Sequence, residues 1–176
     1  FRAYGLKKKL FIIPKAIELK DRVEFDQTLK QIKIPNIKIL LSGKGRVGSG
    51  TKEVLDFLNI KQVSPTDFVD KQFDEAVYTN IDVLDYNYSN SIENSISNFY
   101  NFPEKFESTF SKFSSVADIY FAGHYHNPKA PKLITNQDMK ENSFNIDVIA
   151  DISCDIDGPI ASTIRPSTIC LLYTSD

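Results

Sequence analysis

Ile37-Lys38-Ile39-Leu40-Leu41 is a short apolar run bounded by Pro35 before it and Gly43 after it. β-Branched and apolar residues at that length, between two chain breakers, predict a strand buried on both faces. The next residues, Gly43-Lys44-Gly45-Arg46-Val47-Gly48, supply glycines at the first, third and sixth positions, and Gly50 follows closely. Val47, Val54, Leu55 and Leu58 then recur at helical spacing, which predicts a helix to about Asn59 with these residues on its buried face. A buried strand turning through glycines directly into an amphipathic helix is the first half of a parallel strand–helix–strand unit.

The rest of the chain repeats that alternation. Residues 21–32 read as a helix, with Phe25, Leu29 and Ile32 on one face, Asp21 as its cap, Glu24 in the capping-box position and Pro35 beyond its end. Residues 61–64 are the expected second strand, 76–81 the third, 117–122 the fourth and 146–150 the fifth. Residues 85–115 are polar and aromatic and predict one or two helices. The clearest starts at Pro103 and places Phe106, Phe110 and Phe113 along one face as core. The fold class expected is α/β, a Rossmann-type doubly wound, mostly parallel sheet with helices on both faces. Residues 1–36 read as a helical connection arriving from another domain, and 37–169 as the sheet domain. Residues 170–176, Cys-Leu-Leu-Tyr-Thr-Ser-Asp, resemble translated sequencing read-through and are expected to be non-native.

Composition bounds the function. The chain has 176 residues, is 25% charged and carries a net charge of −2, so it lacks the basic footprint of a nucleic-acid-binding protein. No apolar run approaches the roughly 20 residues of a membrane span. The two cysteines, Cys154 and Cys170, make no disulfide framework, and a reducing cytoplasm is the compartment expected.

Three segments carry chemistry. In a G-x-G-x-x-G turn, Gly43 permits the sharp bend, Gly45 lets backbone approach a pyrophosphate, and Gly48 lets helix and strand pack closely. The amides opening the helix then meet the phosphates at the positive end of the helix dipole. The cofactor expected is NAD or NADP. An acidic residue about 20 positions on holds the ribose. Asp67 lies 19 residues after Gly48, while Ser64 sits nearer the strand end. Asp67 favours NAD, because a carboxylate repels a 2′-phosphate; Ser64 leaves NADP open.

The second segment, Gly123 to Leu133, follows the fourth strand and includes His124 and His126, the only histidines. Ligands in such sheets bind beyond the carboxyl ends of the strands, so this loop is expected to border the cofactor. A His-x-His pair without adjoining cysteines or carboxylates does not complete a metal site. The third segment, Asp151-Ile152-Ser153-Cys154-Asp155-Ile156-Asp157-Gly158, follows the fifth strand. If extended, it would set Asp151, Asp155 and Asp157 on one face. Cys154 reads as a small buried residue rather than a nucleophile.

These residues resemble a known family. Gly45 to Gly50 resembles the glycine loop of lysine-forming saccharopine dehydrogenases. Asn127 to Asn136 is similar to the nicotinamide-side loop of alanine dehydrogenases. Asp151 to Asp155, with Gly158 and Arg165-Pro166-Ser167-Thr168, is similar to a segment both share with lysine–ketoglutarate reductases. The resemblance covers nearly all of residues 1–169. It implies an NAD(P)-dependent dehydrogenase acting on the C–N centre of a small amino-acid substrate. Gly45 and Arg46 would contact the pyrophosphate, with Val47 opening the helix. Gly123 and His124 would lie by the nicotinamide ribose, and Ile152, Ser153, Cys154 and Asp155 along the nicotinamide. Asp155 stands at the position that acts in catalysis in alanine dehydrogenases. The family's acid/base lysine and histidine belong to another domain, so this stretch alone is expected to bind dinucleotide without turning over an amino acid. Alanine dehydrogenase, a transhydrogenase NAD(H)-binding domain and a non-catalytic nucleotide sensor are the alternatives.

Overall fold

The first expected strand forms as Lys38–Ser42 (β1), every residue of it buried. The structure, a computed structural model, describes residues 1–153 and 155–165. Among the described residues, β1 is the middle of a five-stranded parallel sheet with Lys61–Gln62 (β2), Val77–Ile81 (β3), Ile119–Ala122 (β6) and Val148–Asp151 (β7), in the order β2-β3-β1-β6-β7. The α/β doubly wound class read from the sequence is the architecture observed.

Strand residues alternate between two cores. Ile39, Tyr78 and Ile119 face one cluster with Tyr4 and Leu55; Leu40, Val77 and Tyr120 face the other with Phe68, Phe110 and Phe113. The first face is covered by the helices Arg2–Lys8 (α1) and Arg46–Phe57 (α3). The second is covered by Pro65–Asp70 (α4), Val83–Tyr86 (α5), Ile96–Asn101 (α6) and Ser111–Ser114 (α7). Lys38 is nearly buried, yet its Nζ donates to the carbonyls of Phe68 and Lys71 at 2.8 and 2.6 Å, closing the carboxyl end of α4.

The first eight residues pack on the sheet. Tyr4 is buried in the first cluster, the Phe1 ring sits 6.2 Å from that of Phe121, and Lys7 and Lys8 pair with Asp147. The helix Arg22–Lys30 (α2) is capped by Asp21, which accepts from the Glu24 amide at 2.9 Å. The Glu24 carboxylate accepts from Lys20 instead of from Asp21, so the expected capping box is displaced by one residue.

Two sequence expectations give way to tertiary structure. Val47, in the first turn of α3, is 48% exposed; only Leu55 of the expected face is fully buried, with Val54 and Leu58 half-buried. The helix expected from Pro103 is broken into a 3-10 turn, Pro103–Lys105, a short strand, Glu107–Ser108 (β5), and α7. Backbone groups of β5 pair with Asn87–Tyr88 (β4), and Thr109 donates to Tyr86, which no continuous helix could permit. Phe106, Phe110 and Phe113 are nonetheless all core, as expected.

Candidate functional site

Strand register sets the site. Ser42 of β1 stands beside Ile81 of β3 and Ala122 of β6, and Ala122 stands beside Asp151 of β7. The carboxyl ends of these strands therefore align, and the loops after them share one rim. The chain runs from β1 out to the edge strand β2 and returns to β3 beside β1, then crosses to β6 and β7 on the other side. The change of direction falls between β1 and β6, where α/β sheets open a crevice for ligands.

The three glycines of the loop meet three different surroundings. Gly43 has φ +94°, and a Cβ there would lie 2.5 Å from the Gly123 carbonyl oxygen. A Cβ on Gly48 would lie 2.0 Å from the Gly43 carbonyl oxygen, so helix and turn touch backbone to backbone. Gly45 differs from both. Its φ is −80°, open to any residue, and a Cβ would meet nothing within 4 Å. The protein's own packing and backbone place no demand for glycine there. Gly45 caps α3 with no side-chain hydrogen bond, and the first turn of α3 holds no acidic residue. The leading amides of that turn, at the positive end of the dipole, thus have no side-chain cap and no acidic neighbour within the turn. Arg46 is exposed at the start of this helix, and Lys44 reaches Asp82 at 3.6 Å.

Asp82 directly follows β3, the strand beside β1. One of its oxygens accepts from the Val83 amide at 2.8 Å, and its own amide donates to Asp85 at 2.7 Å. Ser64 and Asp67 are placed elsewhere. Ser64 caps α4 after the edge strand β2, accepting from the Asp67 amide at 3.0 Å, and the Asp67 carboxylate pairs with Lys71 at 2.8 Å. Asp82 was invisible as a candidate because its position depends on strand order, which residue spacing does not encode.

On the other side of the crevice, His124 is buried, with 8% of its surface exposed. Its Nδ1 lies 2.7 Å from Ser42 Oγ, which is 2.9 Å from the buried Tyr120 hydroxyl. Its ring stands edge-on to Tyr86 at 6.1 Å. Nε2 is buried without a hydrogen-bond partner, a situation that costs about 1–3 kcal/mol. Burial, and secondarily the neighbouring His126, lower the His124 pKa to about 4, with Asp151 pulling the other way. The unfolded chain takes up this proton near pH 6.5, so stability is complete above that value and falls as pH drops toward 4. On this basis the decline is on the order of 3 kcal/mol. Urea unfolding between pH 7 and pH 4 is expected to show that decline, reduced in His124→Gln; an equal slope in the variant would assign the acid sensitivity elsewhere.

The third segment does not extend as its sequence suggested. Asp151 turns back, one oxygen accepting from the Ser153 amide and hydroxyl and the other from the Thr163 hydroxyl. The chain bends at Ile152 and Ser153 and turns again at Asp157, whose φ is 57°. Asp151 therefore organises the loop, and Asp155 and Asp157 are exposed in the turn that Gly158 closes by donating to the Asp155 carbonyl. Ile152 is 44% exposed and donates its amide to Ala122. Cys154 lies outside the described residues. Leu133 and Ile134 donate to the Pro159 carbonyl, tying the loop after β6 to the loop after β7.

Beside this rim, on the α3 face, lies an apolar cavity of about 480 Å³ lined by Val47, Ile152, Phe121, Phe25 and Leu29 among others. Among the described residues no group of three or more His, Cys, Asp or Glu side chains is placed to hold a metal ion, and no helix is long and apolar enough to cross a membrane. No protein-family model matches this chain, and no curated protein matches it either.

Proposed function

We propose that the crevice between the β1 and β6 loops binds NAD or NADP, and that the chain is the nucleotide-binding part of an amino-acid dehydrogenase passing hydride between a C–N centre and nicotinamide. The observation that carries the nucleotide reading is Gly45. Gly43 and Gly48 are required by the packing of the loop itself, whereas Gly45 faces open space at an uncapped helix start. A glycine that the fold does not need is explained by a ligand whose phosphates come close to the backbone.

In this reading Gly45, Arg46 and the first-turn amides of α3 take the pyrophosphate. Asp82, at the end of the strand next to β1, takes the adenosine ribose, in preference to Ser64 and Asp67 beyond the edge strand. Gly123 and His124 border the second ribose. Ile152, Ser153 and Asp155 lie toward the nicotinamide, and the apolar cavity next to Val47 and Ile152 suits a flat, weakly polar ring. The redox step belongs to the cofactor; these residues bind, orient and exclude water. The amino-acid dehydrogenase part rests on the resemblance of the loop, the Asn127 to Asn136 segment and the Asp151 to Asp155 segment.

Asp82→Ala is expected to weaken NAD⁺ binding about tenfold, the loss of a charge-assisted hydrogen bond, and to narrow the preference over NADP⁺, while Asp67→Ala leaves both unchanged. Calorimetric titration of the two dinucleotides checks this; a preference altered by Asp67→Ala alone would return the ribose to the edge strand. The dehydrogenase reading is tested by following NADH absorbance with saccharopine, alanine and lysine, using the longest form of the protein. Turnover of one of them is the expected result once the acid/base lysine and histidine are supplied, and dinucleotide binding without turnover under that condition favours a nucleotide sensor.

A further inference from the structure

The buried chain Tyr120–Ser42–His124 has a direction that its chemistry fixes. The Tyr120 side chain is completely buried, and its hydroxyl meets Ser42 Oγ. A phenolic hydroxyl shut away from water donates its proton to the acceptor within reach. Ser42 Oγ therefore accepts from Tyr120 and gives its own proton to His124 Nδ1. A neutral imidazole that accepts at Nδ1 carries its hydrogen on Nε2. Any arrangement with the hydrogen on Nδ1 leaves Nε2 a bare acceptor and strands one hydroxyl proton, that of Tyr120 or of Ser42, two unmet groups instead of one. The network thus holds a donor at Nε2, and that donor has no partner in the protein.

Its place in the fold gives this donor a use. The His124 amide nitrogen lies 2.8 Å from where a Gly43 Cβ would stand, so the residue sits directly against the glycine loop, at the point where strand order reverses. Side chains from β1 and β6 cooperate to orient it. Nε2 is shut off from solvent, so the groups covering it have to yield before an oxygen can reach it. We propose that His124 is a binding residue of the crevice: Nε2–H donates to an oxygen of the bound dinucleotide as the groups covering it move aside, and Ser42 and Tyr120 are positioning residues that lock the ring in the donating tautomer. This rests on the dinucleotide reading above.

The experiment combines imidazole ¹⁵N spectra of the chain with calorimetric titration by NADH. The expected spectrum is that of the Nε2–H tautomer, with the Nε2 resonance shifting as NADH saturates the chain. His124→Leu is expected to bind about tenfold more weakly, the loss of one hydrogen bond, and His124→Gln, which keeps an N–H at similar reach, to stay within about threefold of the parent. Ser42→Ala is expected to produce a mixture of tautomers. If His124→Leu fails to fold, as judged by circular dichroism, the parent spectra and Ser42→Ala decide. An Nδ1–H tautomer, or NADH binding that leaves the His124 resonances unmoved, overturns this proposal and leaves the dinucleotide reading standing. Absence of NADH and NADPH binding overturns both.

Discussion

Gly45→Val is expected to weaken dinucleotide binding about a hundredfold while the protein folds as before. The two halves of that result have separate causes. At φ −80° and ψ −169°, with open space where Cβ would go, valine enters without strain. Glycine gives this cap no side-chain hydrogen bond to lose, so stability is expected to change by about 1 kcal/mol or less. The side chain then occupies the approach to the leading amides of α3. Displacing a pyrophosphate from that contact is expected to cost about 3 kcal/mol, a loss of about a hundredfold. Circular dichroism and calorimetry on the same sample read both halves. An unchanged affinity would show that the ligand, if one binds, does not use this loop.

Gly48→Ala is expected to do the reverse, and its sign separates two principles. Glycine inside a helix is poorer than alanine by about 1 kcal/mol, so propensity alone forecasts a gain. The structure forecasts a loss, because the new methyl would stand 2.0 Å from the Gly43 carbonyl oxygen and neither backbone can withdraw without parting α3 from the loop. Overpacking of this kind costs about 1–3 kcal/mol, and backbone against backbone belongs at the upper end. After the propensity gain, a net loss of about 2 kcal/mol remains, a fall of roughly 4–8 °C in Tm for a domain of this size. A Tm equal to or above that of the parent would mean that α3 stands farther from the Gly43 turn than this contact requires.

The contrast between these glycines shows how far the residues alone could be read. Strand, loop and helix were legible because each is local: the run at residues 37–41, the glycine spacing and the period of Leu55 and Leu58 all lie within about twenty residues. Strand order was not legible. The residues 61–64 and 76–81 both read as strands, and nothing in them says which lies beside β1. The shorter one, Lys61–Gln62, exposed at both positions, takes the edge, and the buried Val77–Ile81 takes the interior. That single fact moves the ribose candidate from Asp67 to Asp82. The aromatic segment was half legible. Phe106, Phe110 and Phe113 are core by composition, but the β4–β5 pairing that breaks their helix depends on residues twenty positions away. The Ser42–Tyr120–His124 network joins residues about 80 apart and has no local signal at all.

Calorimetric titration of the chain with NADH and NADPH, repeated on Gly45→Val, tests the central claim most directly. Saturable one-to-one binding of at least one dinucleotide by the parent, weakened about a hundredfold in a variant with an unchanged circular dichroism spectrum, is the result expected. A parent that binds neither dinucleotide at millimolar concentration, or a variant that binds as the parent does, would contradict it.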